Sequence, residues 1–98
     1  MARIAWMPEA ADELEQAWKW YAAQNPVAAE RFADEVARAI EAIAEAPSRW
    51  MLAGHDTRRV PLHGFPFKVV YRWYPDDAVV KIVAIAHGKR RDEYWRDR

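Results

Sequence analysis

Midway along its 98 residues the chain changes its hydrophobic period, and that change decides the class of fold open to it. Up to Pro47 apolar side chains recur every three or four positions; from Thr57 they recur every second position. In the first half, Met7, Ala10, Leu14, Ala17, Trp18 and Tyr21 form one stripe of a helix that Pro8 opens, where a first-turn proline needs no donor, and that runs to about Gln24. Asn25-Pro26 then restarts the chain with a capping side chain followed by a proline. Ala29, Phe32, Ala33, Val36, Ile40 and Ile43 make the second stripe, and Pro47 stops it. Arg31 with Glu35, and Asp34 with Arg38, stand on the outer face at helix-supporting spacing. Two helices joined by so little predict an antiparallel hairpin, preceded by a short extended segment from Ala2 to Trp6.

The second half reads as strands. A loop spans Arg49 to Asp56, and Thr57 to Leu62 sets Arg58, Val60 and Leu62 on one side against Arg59, with Pro61 marking an edge or a bulge. Phe67, Val69, Tyr71 and Trp73 alternate with Lys68, Val70, Arg72 and Tyr74, giving a long strand with an apolar-aromatic face and a basic one. Pro75-Asp76-Asp77 is a hairpin turn, and Val79 to His87 is apolar at nearly every position, the pattern of a central strand covered on both sides. Gly88 breaks it, and Lys89 to Arg98 forms a basic tail with one short helical turn around Tyr94 and Trp95. The reading is one α+β domain over residues 1–98, in the order β-α-α-β-β-β. An N-terminal strand and a helical hairpin pack on a mainly antiparallel sheet of three to four strands.

Composition narrows the function classes. With 15 basic and 15 acidic side chains the net charge is zero, but residues 1–49 sum to −4 and residues 50–98 to +4, so the strand half can still focus a positive field. The absence of cysteine excludes disulfides, thiolate metal sites and thiol nucleophiles. No stretch is long and apolar enough to span a membrane and no signal segment opens the chain, so the expectation is a cytoplasmic protein with no metal site and no cofactor. Six tryptophans must fill the core or cover a partner.

The candidate site follows from the strand alternation. With the hairpin on one face, the other receives Lys68, Arg72, Arg58 or Arg59, and Lys81, with Lys89, Arg90 and Arg91 at the strand exit and the aromatics Tyr74, Tyr94 and Trp95 nearby. Cations interleaved with aromatics suit a nucleic-acid backbone with stacked bases. An unperturbed imidazole changes charge near neutral pH, and His87 is the candidate acid or base of a metal-free nuclease. Trp18, Tyr21 and Phe32 fall on core stripes, whereas Trp20, Trp50 and Trp95 lie off them and are candidate anchors for a protein partner.

Four blocks, Asn25-Pro26-Val27-Ala28-Ala29-Glu30-Arg31-Phe32, Arg58-Arg59-Val60-Pro61-Leu62, Phe65-Pro66-Phe67-Lys68-Val69-Val70-Tyr71, and Ala86-His87-Gly88-Lys89-Arg90-Arg91 with Tyr94-Trp95, together resemble the RelE/ParE superfamily of type II toxins. The resemblance spans almost the whole chain. It implies the same β-α-α-β-β-β order, a complex with a cognate antitoxin in a toxin–antitoxin hetero-oligomer, and a role in plasmid stabilisation and growth arrest. RelE-like members are ribosome-dependent mRNA endonucleases, and for such an activity the resemblance points to Lys68, Arg72, His87, Arg90 and Arg91. ParE-like members poison DNA gyrase and have no established catalytic set. Here Gly88 replaces the tyrosine that follows the nuclease histidine, and Val60 stands where a glutamate would lie. A lysine at position 68 also lacks the bidentate fork of arginine. His87 with the Arg90-Arg91 and Tyr94-Trp95 ending looks closer to the ParE branch and its plasmid-stabilisation relatives. Target contacts are then expected from Arg58, Arg59, Lys68, Arg72, Lys81, Lys89, Arg90, Arg91, Tyr94 and Trp95, and antitoxin contacts from Trp20, Trp50 and Pro61. A ribosome and mRNA target, or a non-toxic interaction module, are the alternatives.

Overall fold

In the computed structural model, which describes residues 1–98, the elements run β1 (Arg3–Trp6), α1 (Pro8–Gln24), α2 (Pro26–Glu45), a single 3-10 turn (Gly54–Asp56), β2 (Arg58–Pro61), β3 (Phe67–Tyr74) and β4 (Val79–His87). This is the expected α+β order. Asn25 serves both helices: its N–H donates to Tyr21 O at 2.8 Å to close α1, and its Oδ1 accepts from Val27 N at 3.0 Å to open α2. One capping residue therefore suffices for the hairpin. On its outer face Arg38 pairs with Glu35, one turn back, rather than with Asp34 as the spacing suggested. Glu35 also accepts the His63 N–H at 2.6 Å.

The four strands form one mixed sheet in the order β1-β4-β3-β2. The β2–β3 and β3–β4 pairs are antiparallel, and β1 lies parallel to β4 because the helical hairpin carries the chain back before the sheet begins in earnest. The pairing of β1 stops at Trp6 opposite Ile82, so the outer edge of β4 from Val83 to His87 has no strand beside it.

Both helices cover one face of the sheet. Ala10 and Ala17, small and buried, let α1 approach closely, while Phe32, Val36, Ala39 and Ile43 of α2 meet Val69, Tyr71, Val80, Ile82 and Ile85. Tyr21, Phe32, Phe65 and Phe67 close one end of this core with ring centroids 5.1 to 6.4 Å apart. Tyr71 is fully buried, its hydroxyl donates to Pro47 O at 2.6 Å, and burial pushes its pKa up to about 12.

A bulge shapes the opposite face. Val70 pairs with Ala84 but Tyr71 with Ile82, which leaves Val83 unpaired, and both Val83 and Ala84 turn away from the helices. With Val70 and Ala86 they form a small apolar floor.

Candidate functional site

The tail lies across that floor. Trp95 is 1% exposed and packs on Val70, Val83, Ala84 and Ala86. The alternation placed Arg59, Lys68, Arg72 and Lys81 on this face, and the β2–β3 and β3–β4 registers agree, but the open basic surface expected there is corrected: an indole fills its centre. Trp95 is therefore not the exposed anchor foreseen. The physical reason lies in side-chain size, since Ala84 and Ala86 leave a slot that a flat ring fills and that water would otherwise wet. The expected helical turn here is a run of separate turns, with Tyr94 N donating to Arg91 O and Arg96 N to Glu93 O.

The cations around Trp95 serve the tail. Arg59 lies 5.0 Å and Lys68 5.2 Å from its ring centroid. Arg59 Nη2 donates to Glu93 Oε1 at 3.0 Å, and His55 Nε2 lies 3.3 Å from Glu93 Oε2. The hydrogen bond from Arg59 above all, joined by that of His55, holds the Glu93 carboxyl below its usual range. Gly54 sits under this carboxylate, where a Cβ would stand 2.6 Å from Oε1. Arg72 donates through Nη1 to Arg98 O at 2.6 Å and through Nε to His55 O at 3.0 Å. Arg58 is on the helix side, where its Nη1 donates to Trp50 O at 2.6 Å. Lys81 pairs across from Arg72 and is half-buried, whereas Lys89, Arg90 and Arg91 are exposed.

A residue the strand alternation did not flag organises the other end. Glu13 on α1 accepts from the Ile85 N–H at 3.1 Å on the strandless edge of β4, from Tyr94 Oη at 2.6 Å, and from Arg98 Nη1 at 2.9 Å. Arg98 Nη1 also donates to Val83 O at 3.1 Å, so an acid–base pair takes the place of a missing strand along that edge. Tyr94, expected at the surface, is half-buried, and burial followed by the Glu13 carboxylate raises its pKa. The signal was present: Glu13 stands three residues after Ala10 and four before Ala17, in the buried stripe of α1.

The nuclease candidates do not assemble on one face. Phe67 pairs with His87, their rings 4.8 Å apart on the helix side, while Lys68 pairs with Ala86 on the tail side. His87 Nδ1 accepts from Lys89 N at 2.9 Å. Arg90 lies 3.9 Å over the Tyr94 ring and 3.7 Å from Glu13 Oε2. No three His, Asp or Glu side chains gather in a manner that holds a metal ion, and no helix is long and apolar enough to cross a membrane.

Among the partner candidates, Trp20 is 61% exposed, Pro61 is exposed on the β2 edge, and Trp50 is half-buried edge-on against Tyr71. None of the three lines the largest apolar groove, about 710 Å³ between β1 and the two helices. Its walls are Ile4, Leu14, Trp18, Val36 and Ile40, with Glu15 and Glu41 also lining it. Trp18, expected in the core, is 44% exposed here.

The fold and these sites can be set beside known proteins. A chain of the chromosomal ParDE toxin–antitoxin system of P. aeruginosa superposes with a TM-score of 0.75 at 16% identity, over 89% of this chain and 96% of that one. The isolated RelE toxin of E. coli superposes with a TM-score of 0.66 at 13% identity, over 96% of this chain and 92% of that one. No curated protein sequence matches this chain. The family described as the ParE toxin of the type II toxin–antitoxin system parDE matches residues 4–92, nearly the whole of the described fold. The chain belongs to the ParE family of type II toxins, within the RelE/ParE superfamily.

Proposed function

We propose that this toxin arrests growth by engaging DNA gyrase, or the gyrase–DNA complex, rather than by cutting RNA, and that a cognate antitoxin neutralises it. The observation that carries this reading is the separation of Lys68 and His87 onto opposite faces of the sheet, with Lys68 lying over Trp95. A nuclease needs its phosphate-neutralising cation and its proton carrier on one substrate. A binding poison needs neither. The exposed cations at the strand exit, Lys89, Arg90 and Arg91, are then the target contacts most open to a partner.

The ribonuclease alternative draws its support from one small cleft of about 210 Å³, where His87 and Arg90 come together with Glu13 and Tyr94. The antitoxin is assigned to the groove lined by Trp18 and Ile40: its apolar walls suit an amphipathic segment that folds on binding, and Glu41 favours basic residues on that segment. The presence of an antitoxin in the P. aeruginosa ParDE system supports such a partner.

Induction of the chain without its antitoxin tests the assignment. Covalent gyrase–DNA complexes and the DNA-damage response should rise while transcript ends stay unchanged. Cleavage of translated mRNA at codon boundaries would establish the nuclease instead, and undisturbed growth would establish a non-toxic interaction module.

A further inference from the structure

At the opposite end of β3 from Lys68, three arginines line one open cleft of about 660 Å³. Arg58 comes from β2, Arg72 from β3 and Arg96 from the tail; His55 stands beside them, and Asp56 is the one acidic side chain in the wall. Arg58 is held by the backbone carbonyl of Trp50 and Arg72 by that of His55, while a second Arg72 nitrogen meets the main-chain oxygen of Arg98 at the end of the sequence. Neutral carbonyls orient a guanidinium without cancelling its charge, and each group keeps further N–H donors. Arg96 is exposed and takes part in no ion pair of the fold. The cleft thus sets three arginines against the single acidic side chain of Asp56.

Two further features point to a ligand. His55 and Asp56 are successive residues at φ 60° and 58°, a left-handed backbone that is costly for side chains with a Cβ and that turns His55 O onto Arg72. Trp73 and Tyr74 also line the cleft, and Tyr74 is 42% exposed. Guanidinium forks match phosphate oxygens, and an exposed ring beside them offers a base a surface on which to stack. An acidic peptide would use the arginines but not the rings.

We propose that this cleft binds one nucleotide unit of a single-stranded nucleic acid, with its phosphodiester on Arg72 and Arg96 and its base against Tyr74. The site goes beyond the gyrase reading and does not rest on it, because binding in vitro succeeds or fails whatever the cellular target.

The test is fluorescence anisotropy of the purified chain with a labelled single-stranded thymidine hexamer, at low and at moderate salt. Arg96→Glu, which removes no internal partner, should weaken binding about tenfold and reduce the log–log salt slope by about one. Tyr74→Ala should weaken it about tenfold with the slope unchanged. Arg31→Glu, an exposed reversal on α2, should change it less than about twofold, and all three variants should keep the wild-type melting temperature. Competition by thymidine monophosphate assigns the site to free nucleotides, and failure to compete assigns it to a strand; both results keep the phosphate-and-base chemistry. Absence of hexamer binding, an equal loss in Arg31→Glu, or displacement of the hexamer by an equal concentration of polyglutamate would overturn the proposal.

Discussion

Lys68 and His87 stand one step out of register across the β3–β4 pair and point to opposite faces of the sheet. His87 packs edge-on against Phe67 toward the helices, and Lys68 lies over Trp95 toward the tail. The same alternation sorts Arg58, Arg59, Arg72 and Lys81 between the two faces. The tail then covers one of the two faces, and what stays open is the strand exit, the arginine cleft and the groove on the hairpin.

Trp95 holds the tail to the sheet. Trp95→Ala should lower stability by about 3 kcal/mol, toward the lower end of the range for large aromatics, because two buried N–H groups there, Trp95 Nε1 and Arg59 Nε, lack partners and offset part of the gain. Urea denaturation measures this. A loss below about 1 kcal/mol would mean that the tail is not docked in solution.

Glu13→Ala should cost about 3 kcal/mol, since it strands the Ile85 N–H and leaves Arg98 without its carboxylate in a part-buried setting. Hydrogen exchange at the Ile85 amide should accelerate in the same variant. Unchanged exchange would show that another group protects the β4 edge.

Acid should release the tail. The Glu93 carboxyl is held below its ordinary value of 4.5, first by Arg59 and then by His55. The unfolded form therefore takes up the proton first. The stabilisation is fully present above about pH 4.5 and is lost as pH falls through the lower folded value. The indole N–H resonance of Trp95 reports the docked tail and should shift in that window. In Glu93→Gln this acid step should vanish, and its persistence would assign the titration to another group.

Trp18→Ala should leave stability within about 1 kcal/mol of wild type, because the ring is 44% exposed, while weakening the antitoxin by about 2 kcal/mol, or roughly thirtyfold. Isothermal titration with the antitoxin checks this. Unchanged affinity would move the antitoxin off the groove.

Much of the fold was legible because local rules set it. Asn25-Pro26 marked the hairpin, the switch of period marked the strands, and the alternation Lys68, Val70, Arg72, Tyr74 sorted the faces. What escaped depended on contacts distant in sequence. Trp18 sits in the apolar stripe of α1, yet it is left 44% exposed in an open groove, and periodicity cannot report that a groove stays unfilled. The cover over the second face was hinted at by the apolar run from Ile82 to Ala86 in β4, and Ala84 and Ala86 within it were the specific sign of a large ring above. Reading the neighbouring cations as an open surface overlooked that sign. Glu13 was missed because its partners lie 72 to 85 residues away.

If this toxin acts by binding, as proposed, rather than by cutting RNA, the double variant Lys68→Ala/His87→Ala separates the two. Induced without antitoxin and compared with wild type at equal protein level, it should still arrest growth and still raise covalent gyrase–DNA complexes, at reduced potency. Complete loss of growth arrest in a variant that retains its fold and its antitoxin affinity, together with loss of mRNA cleavage seen in wild type, would contradict the account.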